Sequence, residues 1–195
     1  MYDINETKEK ALQWLTEFTM SGAEFDSSIR DPPPRCHPGT RIPILSDISP
    51  AGVGKTAIVQ SLAEELSTTS KLDATLFISR TNHCHDATRI FPTTTYQLAV
   101  RIPLHRAYLK QTMIDDPRIL EKGIKHQFRT LVVEPFVMQL TQELGSWLIL
   151  LDGLDECENE ETLVIELISE ICSQHPSSAL NWLISSRPEP HLCRV

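Results

Sequence analysis

Eight residues, Ser49-Pro50-Ala51-Gly52-Val53-Gly54-Lys55-Thr56, have the type and spacing that bind phosphate. The chemistry asks for a loop without bulky side chains, so that successive backbone N–H groups can point at phosphate oxygens, and Gly52 and Gly54 allow that approach. A helix starting near Gly54 would add the positive end of its dipole. Ser49, Ala51, Gly52, Val53 and Gly54 are then the backbone cradle. Lys55 would reach the β- and γ-phosphates, and the Thr56 hydroxyl would ligate Mg²⁺. Ser49 stands where the pattern G-x-x-x-x-G-K-[ST] has its first glycine.

A second constellation is Leu148-Ile149-Leu150-Leu151-Asp152-Gly153-Leu154-Asp155-Glu156, an apolar strand that delivers a carboxylate at its C-terminal edge. Open α/β sheets bind ligands at that edge. Asp152 would hold Mg²⁺. Asp155 and Glu156 follow within a short turn, and Glu156 is the choice for orienting or deprotonating an attacking water. A third stretch, Leu183-Ile184-Ser185-Ser186-Arg187-Pro188, ends another strand with Arg187, whose planar donors suit a γ-phosphate. Each piece has a blander reading alone: an ordinary loop, a capping aspartate, a surface arginine. Their co-occurrence favours the nucleotide site. His83-Cys84-His85 and Cys36-His37 lack the spaced partners of a zinc site and read as ordinary loop residues.

These residues need elements to position them. Ala11, Leu12, Trp14, Leu15 and Phe18 predict a short amphipathic helix within 5–20, and the Arg30–Gly39 stretch, with three successive prolines, predicts an extended linker. Ile58, Leu62, Ala63 and Leu66 fall on one face of a helix after Gly54. Leu72–Ser79, Trp147–Leu151 and Leu180–Ser185 read as strands, and Val164, Leu167, Ile168 and Ile171 as a helix. Two or three helices are expected between Pro92 and Pro135; the clearest carries Leu120, Ile124, Phe128 and Leu131 and should stop at Pro135. Trp14, Trp147 and Trp182 are expected in or beside the core. Strands alternating with helices predict a three-layer α/β domain with a mainly parallel sheet. The expected organisation is an N-terminal helix and proline-rich linker over 1–41 and a nucleotide-binding domain over 42–195.

Composition agrees with a globular chain: 195 residues, 41% hydrophobic and 23% charged. Eighteen basic against 26 acidic side chains give a net charge of −8, which disfavours nucleic acid and anionic membranes as partners. The longest apolar run, Trp147–Leu151, is far short of a membrane span. The polar, acidic start Met1–Glu6 does not read as a secretory signal, and five irregularly spaced cysteines read as reduced thiols, so a cytoplasmic location is expected.

The combination of residues 49–56, 148–157 and 183–190 resembles the NACHT-type P-loop NTPases of the STAND class, and within it the nephrocystin-like group abundant in fungal NLR-like proteins. Arg35-Cys36-His37-Pro38-Gly39-Thr40-Arg41 and Phe91-Pro92-Thr93-Thr94-Thr95-Tyr96-Gln97-Leu98-Ala99 extend that resemblance over nearly the whole chain. It implies a P-loop NTPase fold, ATP or ADP with Mg²⁺ as ligands, and a signalling switch that oligomerises or meets protein partners through neighbouring domains. Those helical and winged-helix domains are expected to be missing, the chain ending at Val195. The strand ahead of the loop is expected to be lost too. Central parallel strands are unbroken apolar runs, whereas Arg41–Ile48 contains Pro43 and Asp47. A Mg-ATP-binding module with slow or partner-dependent hydrolysis is the leading reading. A degenerate fragment without nucleotide, serving as an interaction segment, is the alternative, and a nucleotide kinase ranks last.

Overall fold

The structure, a computed structural model, describes residues 11–35, 54–139, 146–176 and 179–187. The residues expected to form or replace the strand before the phosphate loop, 41–48, lie outside them, as do Ser49, Ala51, Gly52 and Val53.

Helix α1, Lys55–Thr68, begins directly after Gly54, whose left-handed conformation (φ 75°, ψ 33°) turns the chain into the first turn. Val59, Gln60 and Ala63 form its buried face, with Leu62 and Leu66 partly covered. The buried stripe is thus turned by one residue from the expected one, Val59 lying deeper than Ile58. Strand β1, Ala74–Phe77, follows, then α2, Ile90–Arg101, and α3, Pro103–Asp115. Pro103 opens α3, where its missing N–H costs nothing. Helix α4, Ile124–Gln127, continues into a π-helical stretch, Phe128–Gln139. Strand β2 is Trp147–Asp152, α5 is Glu161–Gln174, and β3 is Leu180–Ser185.

Three expectations are corrected here. The helix meant to stop at Pro135 runs through it, because the wider π turn relieves the clash between a proline ring and the carbonyl one α turn earlier. Leu120 belongs to a separate 3₁₀ turn, Ile119–Glu121, cut from α4 by Gly123. Trp14 is exposed, whereas Trp147 is buried. In the N-terminal segment, residues 11–16 are helical and a turn follows.

The sheet is parallel throughout, in the order β1-β2-β3. Strand alternation then sorts its side chains. Thr75, Phe77, Leu150, Asp152, Leu183 and Ser185 point to one face, since Phe77 pairs with Asp152, Asp152 with Ser185, and Leu150 with Leu183. Helix α1 packs there, Val59 and Ala63 joining Phe77 and Leu150. The other face, with Leu76, Ile149 and Leu151, is covered by a larger cluster that includes Phe91, Leu98, Leu109, Phe128 and Phe136. Helices on both faces of a parallel sheet make this an α/β fold. At about 1.5–3 kcal/mol for each fully buried large apolar side chain, this double coverage is the main source of stability.

Residues 11–30 share that core. Leu15, Met20 and Ala23 are buried in the larger cluster, and Phe77 N donates to Ala23 O at 2.8 Å. The exposed edge of β1 is further closed by Gln97, whose amide accepts from Thr75 N (2.8 Å) and donates to Thr75 O (2.7 Å) like one rung of a strand. Among the described residues, no helix is long and apolar enough to cross a membrane.

Candidate functional site

The parallel register brings those sequence-predicted residues that the structure describes to one end of the sheet. Phe77, Asp152 and Ser185 form its last paired row, on the face that α1 covers. Lys55 and Thr56 open α1 at the same end, and the Thr56 and Ser185 hydroxyls lie close enough to Asp152 to favour its charged form. Asp152 is only 4% exposed. Burial raises its pKa above the usual carboxylate value, against those two hydroxyls and the Arg30 charge, which lower it.

Lys55 crosses to β3, its Nζ donating to Ser186 O at 2.9 Å and leaving two further donors. Asp155 closes the opposite side. Its Oδ1 accepts from Arg187 N at 2.8 Å and Ser186 Oγ at 3.1 Å, and Oδ2 lies 3.4 Å from Arg187 Nε. Arg187 itself is mostly exposed. Glu156, in the 3₁₀ turn Leu154–Glu156, accepts from Arg80 N at 3.1 Å through Oε2, and its backbone carbonyl accepts from Arg80 Nε at 3.0 Å. Gly54, Lys55, Thr56, Asp152, Asp155, Glu156 and Arg187 therefore converge on one edge.

Two cavities meet there. One, of about 270 Å³, is lined by Lys55, Thr56, Asp152, Glu156, Ser186 and Arg187 among others. The second, of about 310 Å³, shares Thr56, Asp152 and Glu156 but is completed by Arg30, Ser79 and Asn82. Asp155 lines only the first, and its carboxylate is committed to Arg187 and Ser186. Glu156 borders both cavities, which separates the two acidic neighbours by position.

Sequence reasoning missed Arg30, Gln60 and Arg80. Arg30 is 9% exposed and its guanidinium carbon stands 3.8 Å from the Phe77 ring centroid. Its Nη2 donates to Gln60 Oε1 at 3.1 Å. Gln60 is fixed by donating to Phe25 O at 3.0 Å and Glu64 Oε1 at 3.1 Å. Nothing in Ser28-Ile29-Arg30-Asp31 marks an arginine as buried, and Gln60 lay outside the expected stripe of α1, although the structure buries it.

The donor set fits magnesium. A buried carboxylate beside a hydroxyl offers hard oxygens, and Mg²⁺ takes one or two such protein ligands and completes its shell with water and phosphate. Among the described residues no three His, Cys, Asp or Glu side chains gather as a metal site. Cys84, Cys157 and Cys172 are free thiols, and burial pushes Cys157 up to about 12, so it is inert as a nucleophile at neutral pH.

A parallel sheet with helices on both faces, and a charged constellation at its C-terminal edge, define an α/β protein whose site lies where such folds place ligands. A model of the nephrocystin 3 N-terminal family matches residues 42–187, three quarters of the chain. The chain belongs to the nephrocystin 3 N-terminal family. Comparison with curated proteins and with solved structures gives no match.

Proposed function

We propose that this chain is a Mg-ATP-binding module of the NACHT, P-loop NTPase kind, a cytoplasmic signalling switch whose hydrolysis is slow or depends on a partner. The observation that carries the reading is the last row of the sheet. It sets Asp152 against Thr56, next to Lys55 at the start of α1, so one carboxylate, one hydroxyl and one ammonium face the same small space. In this reading Gly54 and the preceding loop residues Ser49, Ala51, Gly52 and Val53 supply backbone donors, and Lys55 leaves Ser186 O for phosphate oxygens. Thr56 and Asp152 hold Mg²⁺, which neutralises phosphate charge when bound. Glu156 orients water, and Arg187 senses the terminal phosphate from the end of β3. Protein partners or self-association would act through neighbouring domains.

Lys55→Ala is expected to weaken Mg-ATP at least tenfold in a fluorescent-nucleotide titration, because truncating one member of a close charged pair costs about 2–5 kcal/mol. Equal affinity of wild type and variant would overturn this reading in favour of a nucleotide-free interaction module. Intrinsic hydrolysis in P-loop proteins runs at about 10⁻³ to 10⁻⁴ per second. Glu156→Gln should keep nucleotide affinity and abolish that turnover, the amide keeping the shape but losing the base. A single-turnover assay in which this variant matches wild type would assign the water to another group.

A further inference from the structure

Arg30 is a buried cation with too few partners. Its guanidinium offers five donors. Nη2 reaches a neutral amide; among the described residues, Nε has no hydrogen-bond partner and no carboxylate forms an ion pair with the guanidinium. Cations buried to this degree are ordinarily paired, since desolvation is costly. Asp152 is the main source of compensation: its charge raises the Arg30 pKa, whereas burial, the larger effect, lowers it. Asp152, however, is the carboxylate that the donor set assigns to magnesium. With a dication on Asp152, Arg30 faces a cavity that needs an anion.

The cavity has the right neighbours. Its wall of Thr56, Asp152 and Glu156 is the one it shares with the Lys55 side, and Arg30, with Asp31, Ser79 and Asn82, forms the far wall. At about 30 Å³ of liquid per water, 310 Å³ holds a phosphate group and several waters. The guanidinium of Arg30 is held by the Phe77 ring beneath it and by Gln60 at Nη2, so its fork is organised before any ligand arrives.

We propose that Arg30 is a ligand of the terminal phosphate of a bound nucleoside triphosphate, an arginine supplied in cis by the segment ahead of the phosphate loop. The proposal rests on the nucleotide reading above and deepens it. It makes the 3₁₀ turn Ser28–Arg30 respond to the presence of the third phosphate, since a diphosphate leaves the far wall untouched. A purely structural arginine, holding the N-terminal segment to Phe77 and Gln60, would treat triphosphate and diphosphate alike.

The test is calorimetric titration of the full chain with Mg-ATP, Mg-ADP and magnesium tripolyphosphate, in wild type, Arg30→Met and Arg30→Lys. Methionine keeps an apolar stem over Phe77 and removes the donors. The expected result is at least a tenfold loss for ATP and tripolyphosphate with ADP within threefold of wild type, and a smaller loss for lysine, which keeps the charge without the fork. Unchanged affinities, or equal losses for ATP and ADP, overturn the role of Arg30 and leave the nucleotide reading standing. Wild type that binds tripolyphosphate but neither nucleotide, with that binding lost in Arg30→Met, supports Arg30 and overturns the nucleotide reading. Wild type that binds none of the three overturns both. Should Arg30→Met not fold, the ATP-to-ADP affinity ratio of Arg30→Lys decides, and a wild-type ratio overturns the proposal.

Discussion

Gly153→Ala is expected to cost about 3–5 kcal/mol of stability and to lower the melting temperature by on the order of 10 °C. Two independent penalties meet at this position. The backbone sits at φ 78°, where a side chain costs roughly 1–2 kcal/mol. A Cβ would also stand 2.6 Å from Ile78 O, a backbone atom that cannot swing away. Ile78 is tied to β2 by its N–H, which donates to Asp152 O at 2.8 Å, and Gly153 N donates to Ser185 O at 2.9 Å. Relieving the contact therefore means parting β1 from β2 at the row that carries Asp152. Gly54 provides the control. Its φ is nearly the same, 75°, but a Cβ there meets nothing within 4 Å among the described residues, so Gly54→Ala should cost only the conformational part. Thermal melts followed by circular dichroism compare the two; equal losses would show that the Ile78 contact does not limit the site.

Most of the fold was legible because its signals are local. Trp147–Leu151 is apolar without interruption because both its faces are covered, and Leu180–Ser185 was bounded by the same contrast with polar neighbours. The α/β alternation followed from those runs. What failed depends on long-range geometry or on rare conformations. Pro135 normally ends a helix, and only a π-helical register lets the chain pass. Gly123 separates Leu120 from the stripe it seemed to share with Ile124 and Phe128. The helical period cannot say which of two adjacent residues, Ile58 or Val59, faces the sheet, because one residue is only a hundred degrees of rotation.

For the site, the motifs identified the residues on α1, β2 and the end of β3, and the register added the row linking Phe77, Asp152 and Ser185. The sequence reading chose Glu156 over Asp155 for the water, and the structure separates the two by position: Asp155 is engaged by Arg187 and Ser186, while Glu156 borders both cavities. Arg30 was illegible because its burial comes from a segment remote in sequence folding onto Phe77 and Gln60. A proline-rich neighbour at Pro32-Pro33-Pro34 made that segment read as a linker, yet it carries a wall of the cavity.

The second large effect expected is a loss of stability in mild acid, centred on His105. Its side chain is fully buried in α3, its ring 4.9 Å from Phe136 and 6.4 Å from Tyr108 between centroids, and among the described residues neither ring nitrogen has a hydrogen-bond partner. Burial pushes its pKa down from 6.5 to about 4, opposed only by the Thr95 backbone. The unfolded chain therefore takes up a proton on this residue at a higher pH than the folded one. Above pH 6.5 both states are neutral and His105 adds no pH dependence; between 6.5 and 4 stability falls with pH; below 4 the loss is complete. At 1.36 kcal/mol per unit the whole difference is about 3 kcal/mol, with about 2 kcal/mol already lost at pH 5. Carboxylates titrate over the same range, so the informative quantity is the difference between wild type and His105→Leu, which has no proton to bind and no unpartnered nitrogen. Urea unfolding should find the leucine variant at least as stable at pH 7.5, since it removes a desolvated polar ring, and its advantage should grow by about 2 kcal/mol by pH 5. An advantage that stays constant with pH would mean that the imidazole takes up its proton within the fold as readily as in the unfolded chain.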